Sequence, residues 1–147
     1  MHLEGTTTIT APREKVWKFL TDPNFVSKCA PGLETMEIVT PDKQFRAVAS
    51  IGFGTVKARF VTDVEWLELD EPNRAKMKAH GTAPGSAMDA VSEMFLTQGA
   101  NGATEMKWTA DVVVVGTIAS LASRMMGSVT QKLTAAFFDC VKKQIEA

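Results

Sequence analysis

The chain has 147 residues, of which 45% are hydrophobic and 22% charged, a balance that suits one soluble domain with a buried core and argues against disorder. Its 16 Lys and Arg residues are offset by 17 Asp and Glu residues without any run of like charge, which argues against nucleic acid as a partner. Residues 1–6 lack the features of a secretion signal and no window is apolar enough to span a membrane, so we expect one cytoplasmic domain over residues 1–147.

The first part of the chain predicts one strand and two short helices. Residues 3–10 are rich in threonine and alternate as a strand does. Pro12 suits the first turn of a helix over residues 12–20, and Pro23 suits the first turn of a second, shorter helix that Pro31 and Gly32 end.

The cysteines and histidines indicate neither a metal site nor a redox site. Cys29 and Cys140 lie far apart and belong to no Cys-x-x-Cys pattern, so we expect buried free thiols. His2 lies at the chain start and His80 on an outward-facing strand position, so a metal pair or a catalytic pair would need an improbable convergence. The sequence therefore predicts no metal and no cofactor.

The stretch after Gly32 alternates between apolar and polar side chains with period two, which is typical of strands with one buried face. Residues 55–67 alternate most regularly. Their inward set is Val56, Ala58, Phe60, Thr62, Val64 and Trp66. Turns are predicted at residues 41–42, 52–54, 70–73 and 99–102, which makes a meander of antiparallel hairpins.

From Thr117 onward, apolar residues recur every three or four positions, as in an amphipathic helix. At 1.5 Å per residue this helix would run roughly 40 Å and cross the whole sheet, with Gly127 and Ser128 as a bend near its middle. The predicted fold is α+β: a curved antiparallel sheet wrapped around one long C-terminal helix, with two short helices after the first strand.

The inner face of the predicted sheet mixes a few large side chains with many alanines. Alanines do not fill a concave surface at native packing density, which favours a cavity that a ligand occupies. The alternative is a closed core, in which alanines let the helix approach the sheet and methionines fill the gaps.

Few polar side chains face inward, and none of them titrates near neutral pH. They are Thr7, Thr62 and Ser92, whose hydroxyls can orient a ligand carbonyl. Without a neighbouring His or carboxylate, a hydroxyl is a poor acid, base or nucleophile, so no catalytic residue is predicted.

Two further apolar features invite a functional interpretation. Phe53 lies between two glycines at a predicted hairpin tip, where it forms an exposed gate or a membrane-touching tip unless it folds back over its own sheet. Residues 112–115 are four consecutive valines, which indicates a strand that is covered on both faces or meets a partner.

Three segments together resemble one family: CAPGLE at residues 29–34, GTVKARF at residues 54–60 and APREKVW at residues 11–17. They are similar to the family of the carbon monoxide dehydrogenase G subunit, which belongs to the START-like (SRPBCC), helix-grip superfamily. The resemblance covers nearly the whole chain, and the first two segments at this spacing are moderately specific.

The resemblance implies a helix-grip fold that holds a hydrophobic ligand between the C-terminal helix and the sheet. It also implies an accessory to molybdenum hydroxylases of the carbon monoxide dehydrogenase type, serving maturation, membrane recruitment or quinone handling. Some family members continue into a polar linker and a hydrophobic tail, whereas this sequence ends at Ala147. We therefore expect transient contact with the inner membrane face at most, without a permanent anchor.

The combined prediction is a non-catalytic carrier of a lipophilic molecule, such as a quinone, that works with a molybdenum-containing hydroxylase. A polyketide cyclase or dehydratase-like enzyme and an assembly factor acting through its surface are the alternatives. The residues predicted to line the pocket are Phe25, Phe53, Phe60, Thr62, Trp66, Met77, Ser92, Met94, Trp108, Leu121 and Met125. We expect an alanine-rich, charge-free wall with Leu121 and Met125 as its roof.

Overall fold

A computed structural model describes residues 1–41 and 43–146 as one antiparallel sheet of seven strands with a long helix across it. The strands are β1 (His2–Ile9), β2 (Leu33–Thr40), β3 (Gln44–Phe53), β4 (Val56–Asp70), β5 (Arg74–Ala83), β6 (Ser86–Gln98) and β7 (Thr104–Gly116). The helices are α1 (Arg13–Thr21), α2 (Pro23–Val26) and α3 (Ala119–Ile145), with a 3-10 turn at Ala100–Gly102. The predicted α+β architecture is confirmed.

The sheet order is β1-β7-β6-β5-β4-β3-β2, so β2 to β7 form a meander and β1 joins its far end beside β7. The alternation in β4 determines its buried face: Ala58, Phe60 and Val64 are buried, whereas Lys57 and Arg59 are exposed. The turn predicted at residues 41–42 falls partly on Asp42, which lies outside the described residues.

Two separate apolar cores anchor α3, one towards each end. The C-terminal part of the helix packs into the first core, whose members include Ile9, Val16, Leu20, Leu96, Val141 and Ile145. The N-terminal half packs into the second core, which consists of Phe53, Ala58, Phe60, Val112, Ala122, Met126 and Val129. The helix is continuous through Gly127 and Ser128. None of the described helices is both long and apolar enough to cross a membrane.

Cys29 and Cys140 form a disulfide that joins the turn after α2 to α3. The expectation of two free thiols was therefore wrong. The two residues are 111 positions apart in the sequence, so their spacing gave no sign of the bond. The fold brings their Cα atoms to 5.4 Å, within the range that a disulfide requires. The bond links the α2 turn and α3, which belong to opposite parts of the chain.

The valine run of β7 is buried on one face only. Val112 lies in the second core, whereas Val113 and Val115 on the outer face of the sheet are 58% and 54% exposed. Among the described residues nothing covers these two side chains, which lie beside the charged Asp89 and Asp111 on the outer face.

His2 links β1 to β7 at the start of the sheet. Its Nδ1 lies 2.8 Å from Oδ1 of Asp111 and its Nε2 lies 3.4 Å from Oε2 of Glu4. These interactions, the one with Asp111 first, raise the pKa of His2 above its ordinary value.

A raised folded-state pKa means that the charged imidazole stabilises the fold below the unfolded pKa of about 6.5 and ceases to do so as the pH rises through the folded value. We expect wild type to melt slightly above His2→Gln at about pH 5.5 and at the same temperature at about pH 9. An equal difference at both pH values, measured by circular dichroism, would show that the charge is not the cause.

Candidate functional site

Beside the first core, α3 lies over a cavity of about 370 Å³ against the inner face of the sheet. The sheet contributes Phe45, Trp66, Ala75, Met77, Ser92, Met94, Met106 and Trp108. The helix contributes Leu133, Thr134, Phe137 and Phe138, while Leu20, Val26 and Pro31 complete the wall. Every one of these described lining residues is uncharged, and none titrates near neutral pH.

Strand register explains why these side chains meet. One row of paired residues runs from Trp66 on β4 through Met77 on β5 to Ser92 on β6. Successive residues on a strand face opposite sides, so the next row on the same face is two positions along. That row runs from Ala75 through Met94 to Trp108, and together the two rows form the floor of the cavity.

The two hydroxyl groups of the cavity already have acceptors for their hydrogens. Ser92 Oγ donates to the carbonyl oxygen of Thr109 at 3.0 Å, and Thr134 Oγ1 donates to the carbonyl oxygen of Thr130 at 2.8 Å. Each oxygen therefore retains only its capacity to accept a hydrogen bond from a ligand. The predicted role of Ser92 as a donor to a ligand carbonyl is not available in this arrangement.

The indole N–H groups of Trp66 and Trp108 are the cavity's remaining side-chain donors. Neither forms a hydrogen bond with the described residues. Every buried side-chain nitrogen or oxygen among those residues has a partner, so these two N–H groups are not fully buried and reach accessible space.

Five of the predicted pocket residues line the cavity and the other six do not. Those that line it are Trp66, Met77, Ser92, Met94 and Trp108. Phe60 lies in the second core, and Leu121 and Met125 pack against that core. Thr62 lies on β4 opposite Gly81, outside the cavity.

The two remaining predicted residues, Phe25 and Phe53, also lie outside the cavity. Phe53 is 3% exposed and belongs to the second core, so its ring folds back over the sheet and forms no exposed gate. Phe25 is 41% exposed, stacks on Phe19 at 6.1 Å between ring centroids and lies beneath the Lys28 ammonium group.

The alanine pattern leads to the wrong part of the interior. Ala75 lines the cavity, but Ala58, Ala90 and Ala110 belong to or pack against the second core, where the N-terminal half of α3 lies close to the sheet. Small side chains permit that approach, and large ones hold the helix away. The cavity therefore lies among the aromatic and methionine side chains, and its roof is further along α3 than Leu121.

Sequence reasoning missed the helix residues that form this roof. They are Leu133, Thr134, Phe137 and Phe138, together with Phe45 and Met106 on the sheet. The sequence does carry one sign of this roof: along α3 the residues change from small to aromatic where the helix leaves the second core.

The segment at residues 29–34 positions one wall of the cavity. Pro31 lines it, and Gly32 adopts a positive φ of 75° beside the Ser50 carbonyl oxygen. Glu34 accepts hydrogen bonds from Ser50 Oγ at 2.9 Å and from Arg59 Nε at 3.1 Å. These bonds, the one from Ser50 first, lower the pKa of the Glu34 carboxyl, which lies outside the cavity and links β2 to β3 and β4.

Solved structures with this fold come from several organisms. A conserved protein from Geobacillus kaustophilus is 26% identical with a TM-score of 0.91, and the match covers 99% of this chain and 95% of that one. A START superfamily protein from Mycobacterium smegmatis is 14% identical with a TM-score of 0.69, covering 99% and 97%. The Zhui aromatase/cyclase from Streptomyces sp. R1128 is 19% identical with a TM-score of 0.74, covering 99% and 93%.

These likenesses confirm the helix-grip fold that the resemblance implied. No curated protein matches the chain. The CoxG family, described as the G subunit of carbon monoxide dehydrogenase, matches residues 5–146, nearly the full length of the sequence. The chain therefore belongs to the CoxG family of carbon monoxide dehydrogenase G subunits.

Proposed function

We propose that this protein is a non-catalytic carrier that binds a lipophilic small molecule, such as a quinone, beneath α3. In this proposal it serves as an accessory to a molybdenum-containing hydroxylase of the carbon monoxide dehydrogenase type. The observation that carries the binding role is a cavity of about 370 Å³ whose described lining is aromatic, aliphatic and thioether without a charged group.

The size of the cavity limits the part of a ligand that it holds. Small-molecule pockets range from about 300 to 1,000 Å³, so this one suits a ring system or a short chain rather than a whole long-chain lipid. Burying about 250 Å² of apolar ligand surface would contribute about 6 kcal/mol before the cost of association is subtracted.

The chemistry of the lining favours holding a molecule over transforming it. General acid–base catalysis needs a titratable group within hydrogen-bond reach of the reacting atom, and the described lining residues offer none near neutral pH. Both lining hydroxyls donate to backbone carbonyls, so neither has a base to activate it. The likeness to an aromatase/cyclase concerns the fold alone.

Family membership supports the accessory role, because the family takes its description from a component of carbon monoxide dehydrogenase. The exposed Val113 and Val115 offer apolar side chains to a partner on the face opposite the cavity, beside the charged Asp89 and Asp111. We place the carrier in the cytoplasm, with transient contact with the inner membrane face when it exchanges its ligand.

Tryptophan fluorescence tests the binding role because Trp66 and Trp108 line the cavity, whereas Trp17 is buried in the first core. We expect 2,3-dimethyl-1,4-naphthoquinone to quench the fluorescence saturably. Trp66→Phe and Trp108→Phe should each remove part of the quenching, because quenching needs proximity to the ring.

Trp17→Phe is the matched control and should retain the ligand-dependent change. Extraction of the purified protein with organic solvent, followed by mass spectrometry, would identify any molecule that co-purifies. If quenching is absent or never saturates and the extract holds no lipophilic compound, the carrier proposal fails.

A further inference from the structure

A second space, lined by polar groups, adjoins the apolar cavity between β1 and α3. This groove measures about 450 Å³. Its walls are residues 4–7 of β1 with Thr130, Gln131, Thr134, Ala135, Phe138, Asp139 and Lys142 of α3, and Trp108 lies between the two walls. Trp108, Thr134 and Phe138 line the apolar cavity as well, so the two spaces meet at these three side chains.

Trp108 extends towards the groove because its neighbour on β1 is a glycine. Gly5 pairs with Trp108, and a Cβ on Gly5 would lie 2.8 Å from Nε1 and 2.9 Å from both Cε2 and Cζ2 of the indole. The edge of the ring that bears the N–H group therefore rests on the Gly5 backbone. That N–H has no acceptor among the described residues and reaches accessible space.

β1 adds backbone groups to the same groove because it is an edge strand. Met1 and Val112 exchange both of their backbone hydrogen bonds, at 2.8 and 2.9 Å. In an antiparallel pair, such residues alternate with residues whose N–H and C=O groups point away from the neighbouring strand. Counting from Met1, Glu4 and Thr6 direct their backbone groups to the free edge, beside the groove.

The charges around the groove balance. Glu4 lies 3.4 Å from the imidazole of His2, and Asp139 pairs with Lys143 at 3.2 Å, while Lys142 adds a positive charge. A groove with both signs of charge and many hydroxyl, amide and backbone groups suits an uncharged group that forms hydrogen bonds better than it suits an ion.

We infer that the groove is the polar half of a two-part binding site. An amphipathic ligand places its apolar part in the cavity and an uncharged, oxygen-bearing end at the junction, where a carbonyl oxygen accepts the indole N–H of Trp108. This inference rests on the carrier function and narrows its ligand to molecules with such an end.

A rival position exists at the other side of the cavity. A groove of about 310 Å³ shares Phe45 and Trp66 with the cavity and is lined by residues of α1, α2, β2 and β3 around their connections. The β1–α3 groove is favoured because the N–H edge of Trp108 lies against Gly5, a residue of its wall. Trp66 and Trp108 therefore mark the two candidate ends, and one experiment separates them.

The experiment compares two ligands with one carbon skeleton, 2,3-dimethyl-1,4-naphthoquinone and 2,3-dimethylnaphthalene. Each displaces the uncharged dye N-phenyl-1-naphthylamine from wild type, Trp108→Phe and Trp66→Phe. Trp108→Phe keeps an aromatic ring but removes the donor, so the preference for the quinone over the hydrocarbon should fall about tenfold, as expected for one hydrogen bond in a water-poor site. Trp66→Phe should leave that preference within about twofold of wild type.

Gly5→Ala tests the same contact from the other side, because its Cβ would displace the indole edge. It should also lower the preference for the quinone over the hydrocarbon. The same result in two different variants would show that the loss in Trp108→Phe does not come from a folding defect. An unchanged preference in both variants, or a selective loss in Trp66→Phe instead, would overturn the inference while the carrier function stands. If neither probe binds wild type, the carrier function fails with it.

Discussion

Gly32→Ala is expected to lower the free energy of unfolding by about 3 kcal/mol. Gly32 has a φ of 75°, a conformation that costs a residue with a side chain about 1–2 kcal/mol. An added Cβ would also lie 2.2 Å from the carbonyl oxygen of Ser50, closer than real atoms approach. Ser50 N donates to Gly32 O at 2.9 Å, so β3 cannot withdraw without breaking that bond.

Gly127→Ala is the control for this measurement. Gly127 lies within α3 with nothing within 4 Å of its added Cβ, so alanine should raise the stability by about 0.5–1 kcal/mol through its helix propensity. Urea unfolding followed by circular dichroism measures both variants. A Gly32→Ala protein within about 0.5 kcal/mol of wild type would show that the contact between residue 32 and β3 is not tight.

Met77→Glu is expected to weaken the binding of 2,3-dimethyl-1,4-naphthoquinone at least about 100-fold, because a carboxylate in an apolar cavity must remain hydrated or become protonated. Met77 lines the cavity but is a member of neither apolar core, so the fold should tolerate the change. Burial raises the pKa of an introduced carboxyl, so binding should recover partly as the pH falls.

Thr82→Glu introduces the same carboxylate on the same strand and serves as the matched control. Thr82 is exposed, and its register partners Val61 and Ala87 carry no charge. Titration of tryptophan fluorescence should give wild-type affinity for Thr82→Glu. Equal weakening in both variants would mean that the ligand does not enter the cavity.

The sequence predicts the elements of this fold well because period-two alternation marks a strand and also its buried face. The alternation of Ala58, Phe60 and Val64 against Lys57 and Arg59 is reproduced in the structure. The change to helical spacing after Thr117 likewise marks α3. These signals are local, and each depends on a few neighbouring residues.

The position of the cavity could not be read in the same way. Alternation reports which side chains face inward but not how far the opposing helix lies from them. Alanines at Ala58 and Ala110 therefore suggested empty space, whereas α3 lies against that region. The cavity lies further along α3, where Phe137 and Phe138 line it, and its position depends on the packing of segments that are distant in the sequence.

The disulfide escaped prediction for a related reason. Cys29 and Cys140 meet only when the turn after α2 reaches the C-terminal part of α3, a contact between segments 111 residues apart. Spacing along the chain carries no information about such a contact unless a motif is recognised. The family resemblance predicted where a ligand would bind but not this bond.

The two cores at the ends of α3 have a consequence for the working cycle of a carrier. A protein that delivers its cargo spends part of each cycle empty, and an empty carrier that unfolded would be lost to proteolysis before it could reload. Val129 and Val141 of α3 lie in the cores and do not line the cavity, whereas Leu20, Ala75 and Met106 belong to the first core and line it as well. If the protein is the proposed carrier, delivery leaves the contacts of Val129 and Val141 in place, so both ends of α3 stay anchored in the unloaded state.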